Sequence, residues 1–233
     1  KAELAAQIEE LRRALDEQAE ESARLQETLT EASERESATG AILELISRGS
    51  SDVQPVLAAI ADAVLGLFGA WSVSVWRYEG ELISPAAMRG GLPGSSETIM
   101  AARRAPSRPI EDSPSGRTVQ TGAVQKSANV DADPAWGARF RSEARMRGFR
   151  AFVSVPMRRG DQVVGVIVVT RQQAGDFSPG EIALLETFAS QAVIAVENAR
   201  LVNEMQARNA ALTEALEQQT ATAEILRAIS SSP

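Results

Sequence analysis

Along residues 1–47 the chain steps alternately by four and three through Leu4, Ile8, Leu11, Leu15, Gln18, Ser22, Leu25, Leu29, Ala32, Glu36, Thr39, Leu43 and Ile46. Nine of these thirteen positions are apolar, and no glycine or proline occurs before Gly40. A repeat averaging 3.5 residues keeps one stripe of a helix apolar and reads as a coiled-coil seam. Such a helix is roughly 70 Å long at about 1.5 Å per residue. It cannot bury its own seam, so the pattern predicts a second copy of the same chain.

The far end repeats the pattern through Leu201, Met205, Arg208, Leu212, Ala215, Gln219, Thr222, Leu226 and Ile229. Residues 28–47 align without gaps on residues 211–230, with 11 of 20 positions identical. That likeness predicts a repeat unit made of a linker helix followed by a globular domain. On this reading the chain, which opens on Lys1 rather than Met, is a fragment ending near the start of a second unit. Polar residues fall at matching seam layers, Glu36/Thr39 and Gln219/Thr222. They either fix register or form a loose point through which a signal passes.

Residues 48–200 mix the two periodicities. Ser51-Asp52-Val53-Gln54 has the form of a capping box, and Val56, Leu57, Ile60, Ala63, Val64 and Leu67 then mark one helix face as far as Gly69. Trp71–Tyr78 alternates like a half-buried strand, and Glu79-Gly80 turns it into Glu81–Ser84. Cap-plus-proline pairs predict helices from Ser113-Pro114, Asp133-Pro134 and Ser178-Pro179, the last with Glu181 completing a box. Between them Ala123–Val130, Ala151–Met157 and Gln162–Thr170 read as strands, the last two joined by a tight hairpin at Arg158–Asp161. The pattern predicts an α+β fold: an antiparallel sheet of five or six strands with helices on it, and a final helix running straight into the C-terminal coil.

Composition then narrows the chemistry. The 233 residues include no cysteine and no histidine. Disulfides, thiolate nucleophiles, zinc fingers, iron–sulfur clusters and the usual triad base are excluded, so no metal or cofactor site is expected. Net charge is −7, but unevenly spread: residues 1–47 carry −7, while residues 101–160 hold 12 basic against 5 acidic side chains. An acidic chain of this kind does not suit nucleic acid. The most apolar run, Val163–Val169, has strand length, and no segment approaches the ~20 apolar residues of a membrane span. Arginine outnumbers lysine by 22 to 2, which hints at a GC-rich bacterial genome.

Phe149–Met157, Gly165–Thr170, Phe177-Ser178-Pro179 and Leu184–Leu201, in that order and spacing, resemble the C-terminal half of a GAF domain. The resemblance covers about 49–201, and the flanking helices resemble signalling helices of bacterial multi-GAF sensors that end in a histidine kinase or nucleotide cyclase. It implies a pocket between the sheet and the segments covering it, here about 86–118 and 129–150. The departures count as well. Without cysteine or histidine the bilin-binding, haem-binding and sulfoxide-reducing members of the family are poor matches, and the Asn-Lys-Phe-Asp-Glu signature of cyclic-nucleotide binders is missing. The domain is therefore expected not to be an enzyme, and to hold a small molecule or none.

Candidate ligand contacts are Arg103, Arg108, Ser115 and Arg117, around a helix N-terminus that can hold an anion, and the aromatics Trp136, Phe140 and Phe149. The competing reading makes the arginines surface charges or partners of Glu111 and Asp112, and the aromatics cover for the sheet. The division expected is a coiled coil over 1–47, a GAF domain over 48–200 and a second coil over 201–233. The whole would be a cytoplasmic sensory module forming a parallel homodimer, followed by a further GAF and an output domain. A ligand-free spacer and the effector domain of a transcription activator are the alternatives. Replacing Glu36 and Thr39 together by leucine should raise the thermal midpoint of the dimer, each fully buried side chain contributing roughly 1.5–3 kcal/mol. An unchanged or lower midpoint in a melting curve means that these positions do not face a partner.

Overall fold

Alternating strands with one aliphatic face can be buried only if helices cover that face, and here two helices do so. The computed structural model describes residues 52–102 and 106–230, together with scattered helical positions between Arg13 and Glu44. Helix α1 (Gln54–Leu67) leads into the hairpin β1 (Ser72–Glu79) and β2 (Leu82–Gly90). Helices α2 (Ser95–Ala102) and α3 (Pro114–Thr121), strand β3 (Gln125–Ser127) and helix α4 (Ala138–Arg147) follow. Strands β4 (Ala151–Arg159) and β5 (Gln162–Arg171) then precede α5 (Pro179–Ser230). The sheet has five strands in the order β2-β1-β5-β4-β3, every neighbouring pair antiparallel. A single bridge between Ile83 and Ser107 adds a trace of a sixth strand beyond β2.

One face carries the core. Val73 and Val75 of β1, Ile167 and Val169 of β5, and Val153 and Val155 of β4 lie in register and are fully buried. Leu57, Ile60 and Val64 of α1 and Leu185 and Phe188 of α5 join the same cluster. At about 1.5–3 kcal/mol for each fully buried large apolar side chain, this layer is the main source of stability. The opposite face bears Ser74, Trp76, Phe152, Ser154, Val168 and Thr170, all buried, under α3, α4 and the segment leading into α3.

Helix α5 starts on the expected box. The Glu181 N–H donates to Ser178 Oγ at 3.2 Å, and the Ser178 N–H donates to Glu181 Oε2 at 2.8 Å. Burial pushes the Glu181 carboxyl up, but the Ser178 backbone bond and the Arg171 ion pair outweigh it and set it lower than usual. From there the helix runs 52 residues without a break.

Several boundaries differ from expectation. The expected box includes Ser51, which lies outside the described residues; the α1 cap is Val53, and the Gln54 N–H donates to Asp52 Oδ1 at 2.9 Å. No helix starts at Asp133-Pro134. Asp133 instead accepts the Ala135 N–H at 3.0 Å and the Ser127 hydroxyl at 2.8 Å, and the helix waits until Ala138. The first hairpin turns on Gly80-Glu81, both at positive φ, one residue later than expected. Strand β2 runs on to Gly90 because Pro85 is tolerated on an edge strand. The stretch 123–130 contributes only three strand residues. Of the expected seam, Leu15, Leu25 and Leu29 are exposed on the single chain, whereas Leu4, Ile8, Leu11, Leu43 and Ile46 lie outside the described residues.

Two glycines should respond in opposite senses. A Cβ at Gly165 would crowd the Trp76 carbonyl and sit 2.9 Å from Met157 Sδ. Gly165→Ala should therefore cost about 1–3 kcal/mol in chemical denaturation. Gly66, near the end of α1, has nothing within 4 Å. Gly66→Ala should stabilise by about 0.5–1 kcal/mol.

Candidate functional site

On the face of the sheet beneath α3 and α4, polar residues interrupt otherwise aliphatic strands. Ser74 Oγ accepts the Trp76 indole N–H at 2.9 Å. The Thr170 and Ser72 hydroxyls lie 2.7 Å apart, and the buried Ser154 and Thr118 hydroxyls 2.8 Å apart, linking β4 to α3. Above them, Ser113 caps α3: its hydroxyl accepts the Gly116 N–H at 3.0 Å and donates to the Ile110 carbonyl at 2.6 Å. A side chain at Gly116 would collide with that carbonyl, so glycine lets the chain fold tightly onto the helix start.

Between β1, β5 and this cover lies a cavity of about 40 Å³. The sheet supplies Ser74, Trp76, Val168 and Thr170 to its wall. The α3 entrance adds Ile110, Ser113, Pro114 and Ser115, and α4 with its exit adds Phe140, Glu143, Arg147 and Phe149. Glu143 and Arg147 stand one helical turn apart and form an ion pair at 3.3 Å, with side chains only 29% and 28% exposed. The Arg147 carbonyl accepts the Trp71 indole N–H at 2.9 Å, which fixes the end of α4 to the start of β1.

The structure therefore divides the residues singled out by sequence. Ser115, Phe140 and Phe149 meet at the cavity. Arg117 and Trp136 lie in a clamp beside it. The Arg117 guanidinium donates to Asp112 Oδ1 at 2.8 Å and to the Ala135 carbonyl at 2.6 Å, and stacks 3.9 Å from the centre of the Trp136 ring. Trp136 is buried against Phe140 and Phe152, each centroid 4.9 Å away, so it covers the sheet. Arg108 is a surface residue, 3.8 Å from Glu81. Arg103 lies outside the described residues. Sequence reasoning missed Ser74, Trp76, Glu143, Arg147 and Thr170. The available signals were a Glu-x-x-x-Arg pair on a short helix and hydroxyls at alternate positions of strands that are otherwise aliphatic.

The sequence profile of the GAF domain matches residues 50–197. The chain belongs to the GAF family. Solved structures share the fold at low identity. The GAF domain of a phosphoenolpyruvate-protein phosphotransferase from Coxiella burnetii superposes with a TM-score of 0.60 at 14% identity, covering 74% of this chain and 98% of that one. The GAF domain/HD domain protein from Geobacter sulfurreducens gives 0.54 at 20% identity, covering 67% and 98%. Residues 122 to 287 of a methyl-accepting chemotaxis protein give 0.55 at 18% identity, covering 69% and 98%. No curated protein matches the chain. These structures share the fold of this GAF domain, and the cavity lies between its sheet and the cover formed by the α3 entrance and α4.

The clamp is a structural part of that cover. Arg117→Ala removes two charge-assisted hydrogen bonds and a ring contact, and should cost about 2 kcal/mol in denaturant unfolding. Arg117→Lys should recover less than half of that, because a lysine cannot reproduce the planar fork.

Proposed function

We propose that this GAF domain is a non-catalytic sensory and dimerisation module of a larger bacterial signalling protein, acting in the cytoplasm on an output domain of the same protein. The observation that carries the reading is α5. Its Leu185, Phe188, Ala192 and Ala199 are buried in the domain core. On the same unbroken helix Ile194, Leu201, Met205 and Leu212 are exposed, at steps of seven, four and seven. Leu226 and Ile229, the last two seam positions, lie on its helical backbone. A helix that is both a wall of the core and half of a coil must move when the core moves.

The hairpin between β4 and β5 is tied to the helix where it leaves the domain. Arg159 beside Glu197, and then Arg200, hold that carboxyl below its usual range, and the chain of pairs continues from Arg200 to Glu204 and Arg208. The partner is a second copy in parallel, because a two-fold axis along the outgoing helices sets equivalent positions opposite each other. The lack of cysteine and histidine supports a non-catalytic role. One observation favours the alternative of a ligand-free spacer: the cavity, at about 40 Å³, is small.

The arrangement can be tested directly, since the chain has no cysteine. Leu212→Cys should form an intermolecular disulfide on mild oxidation, seen as a dimer on non-reducing gels, and Glu214→Cys should not. Equal cross-linking at both positions, or none at Leu212 in a protein that sediments as a dimer, overturns the parallel coil.

A further inference from the structure

Where α5 leaves the domain its two sides do different things. The exposed stripe runs through Ile194 and Leu201. Val196 and Ala199 lie about 140–160° around the helix from that stripe, at 3.6 residues per turn. Between them and the ends of β1 and β5 is a groove of about 720 Å³. That is within the ~300–1,000 Å³ of clefts that take small molecules. A second copy docked on the exposed stripe leaves this groove open.

The walls combine two chemistries. Val163, Val164 and Val196 are only partly buried and present apolar surface. Three arginines, Arg77, Arg159 and Arg200, stand against two glutamates, Glu79 and Glu197, so one positive charge is unbalanced. The imbalance falls on Arg77. Arg159 and Arg200 both pair with Glu197. Among the described residues the Arg77 guanidinium has no ion pair, side-chain hydrogen bond or ring contact, although it is partly buried, on β1 opposite Gly165. A guanidinium so placed has lost part of its hydration and keeps five N–H donors for a ligand.

We propose that this groove binds an organic monocarboxylate with an apolar body. The carboxylate takes the planar fork of Arg77 in a bidentate pair. The apolar body covers Val164 and Val196, which pack against the main core from the groove side. A polyanion is a poorer fit, because Glu79 and Glu197 oppose each charge beyond the first. The inference rests on the sensory reading above and names the chemistry sensed, at the point where α5 leaves the domain.

Calorimetric titration of the full chain with sodium octanoate, sodium acetate and octylammonium chloride, each below its micellar range, tests the proposal. Octanoate should bind saturably. Acetate, which lacks the apolar body, and octylammonium, which carries the wrong charge, should each be at least about tenfold weaker. Arg77→Glu should reverse the preference, losing octanoate and gaining octylammonium, with circular dichroism confirming an unchanged fold. Arg77→Gln should bind the two alike. A merely structural Arg77 would produce no such exchange of ligands. No heat with octanoate, octylammonium binding as tightly as octanoate to the unaltered protein, or full octanoate affinity in Arg77→Gln overturns the site. Acetate binding as tightly as octanoate overturns the apolar body. Silence with octanoate alongside a Leu212→Cys cross-link sinks this inference and leaves the signalling reading standing; binding without the cross-link does the reverse.

Discussion

Burial of the aliphatic face of the sheet beneath α1 and α5 is the interaction on which the rest of the molecule depends. Val73, Val169 and Val153 stand side by side across three strands, and Val75, Ile167 and Val155 form the next row. The apolar faces of α1 and α5 are what these rows meet, with Leu57 and Ile60 of α1 and Leu185 and Phe188 of α5 in the shared core. That placement determines where α5 leaves the domain and which side of it faces outward. The exposed stripe from Ile194 to Leu212 follows from helical geometry once the inner face is fixed. The outgoing part of α5 is thus anchored in the fold, as one continuous helix.

The second face of the sheet obeys a different constraint. Its cover consists of short helices and turns, whose polar backbone needs partners close to the strands. The hydroxyls of Ser154 and Thr118, and the Ser113 cap, supply them. A cover held by hydrogen bonds and a few aromatic contacts can be rearranged at lower cost than the valine and leucine layer opposite. The cavity lies in this more adaptable layer, and α5 in the rigid one.

Legibility in the sequence followed the strength of the local signal. Strands β4 and β5 were readable because long aliphatic runs flank a tight turn, and α5 because a Ser-Pro-x-Glu box opens an amphipathic run. The helix expected at Asp133-Pro134 failed because the Asp133 side chain found a closer partner in Ser127, a contact between residues six apart that no local pattern shows. Helix α2 was missed because Ser95–Ala102 has little apolar periodicity. For the site, of the aromatics singled out by sequence Phe140 and Phe149 border the cavity, Trp136 does not, and Trp76 joins them unexpected. Arg117 looked like an anion ligand from its position at a helix start, yet tertiary packing turned it toward Asp112 and Trp136.

Trp71 links the two layers directly. It follows α1 closely: the Ala70 N–H donates to the Leu65 carbonyl at 3.1 Å, and the Trp71 N–H donates to the Thr170 carbonyl at 2.8 Å. Its indole N–H reaches across to the Arg147 carbonyl, the same residue whose guanidinium borders the cavity. Gly148, at positive φ, lets the chain turn beneath the indole ring, with the ring 3.5 Å from where a Cβ would stand. An outward shift of α4 must therefore break this bond or carry Trp71 with it. In the second case the load falls on the end of α1, which packs against α5 in the shared core. The Arg159–Glu197 contact joins α5 from the opposite end of the sheet. Packed and hydrogen-bonded groups thus connect the cavity wall to α5 through Trp71 and the end of α1.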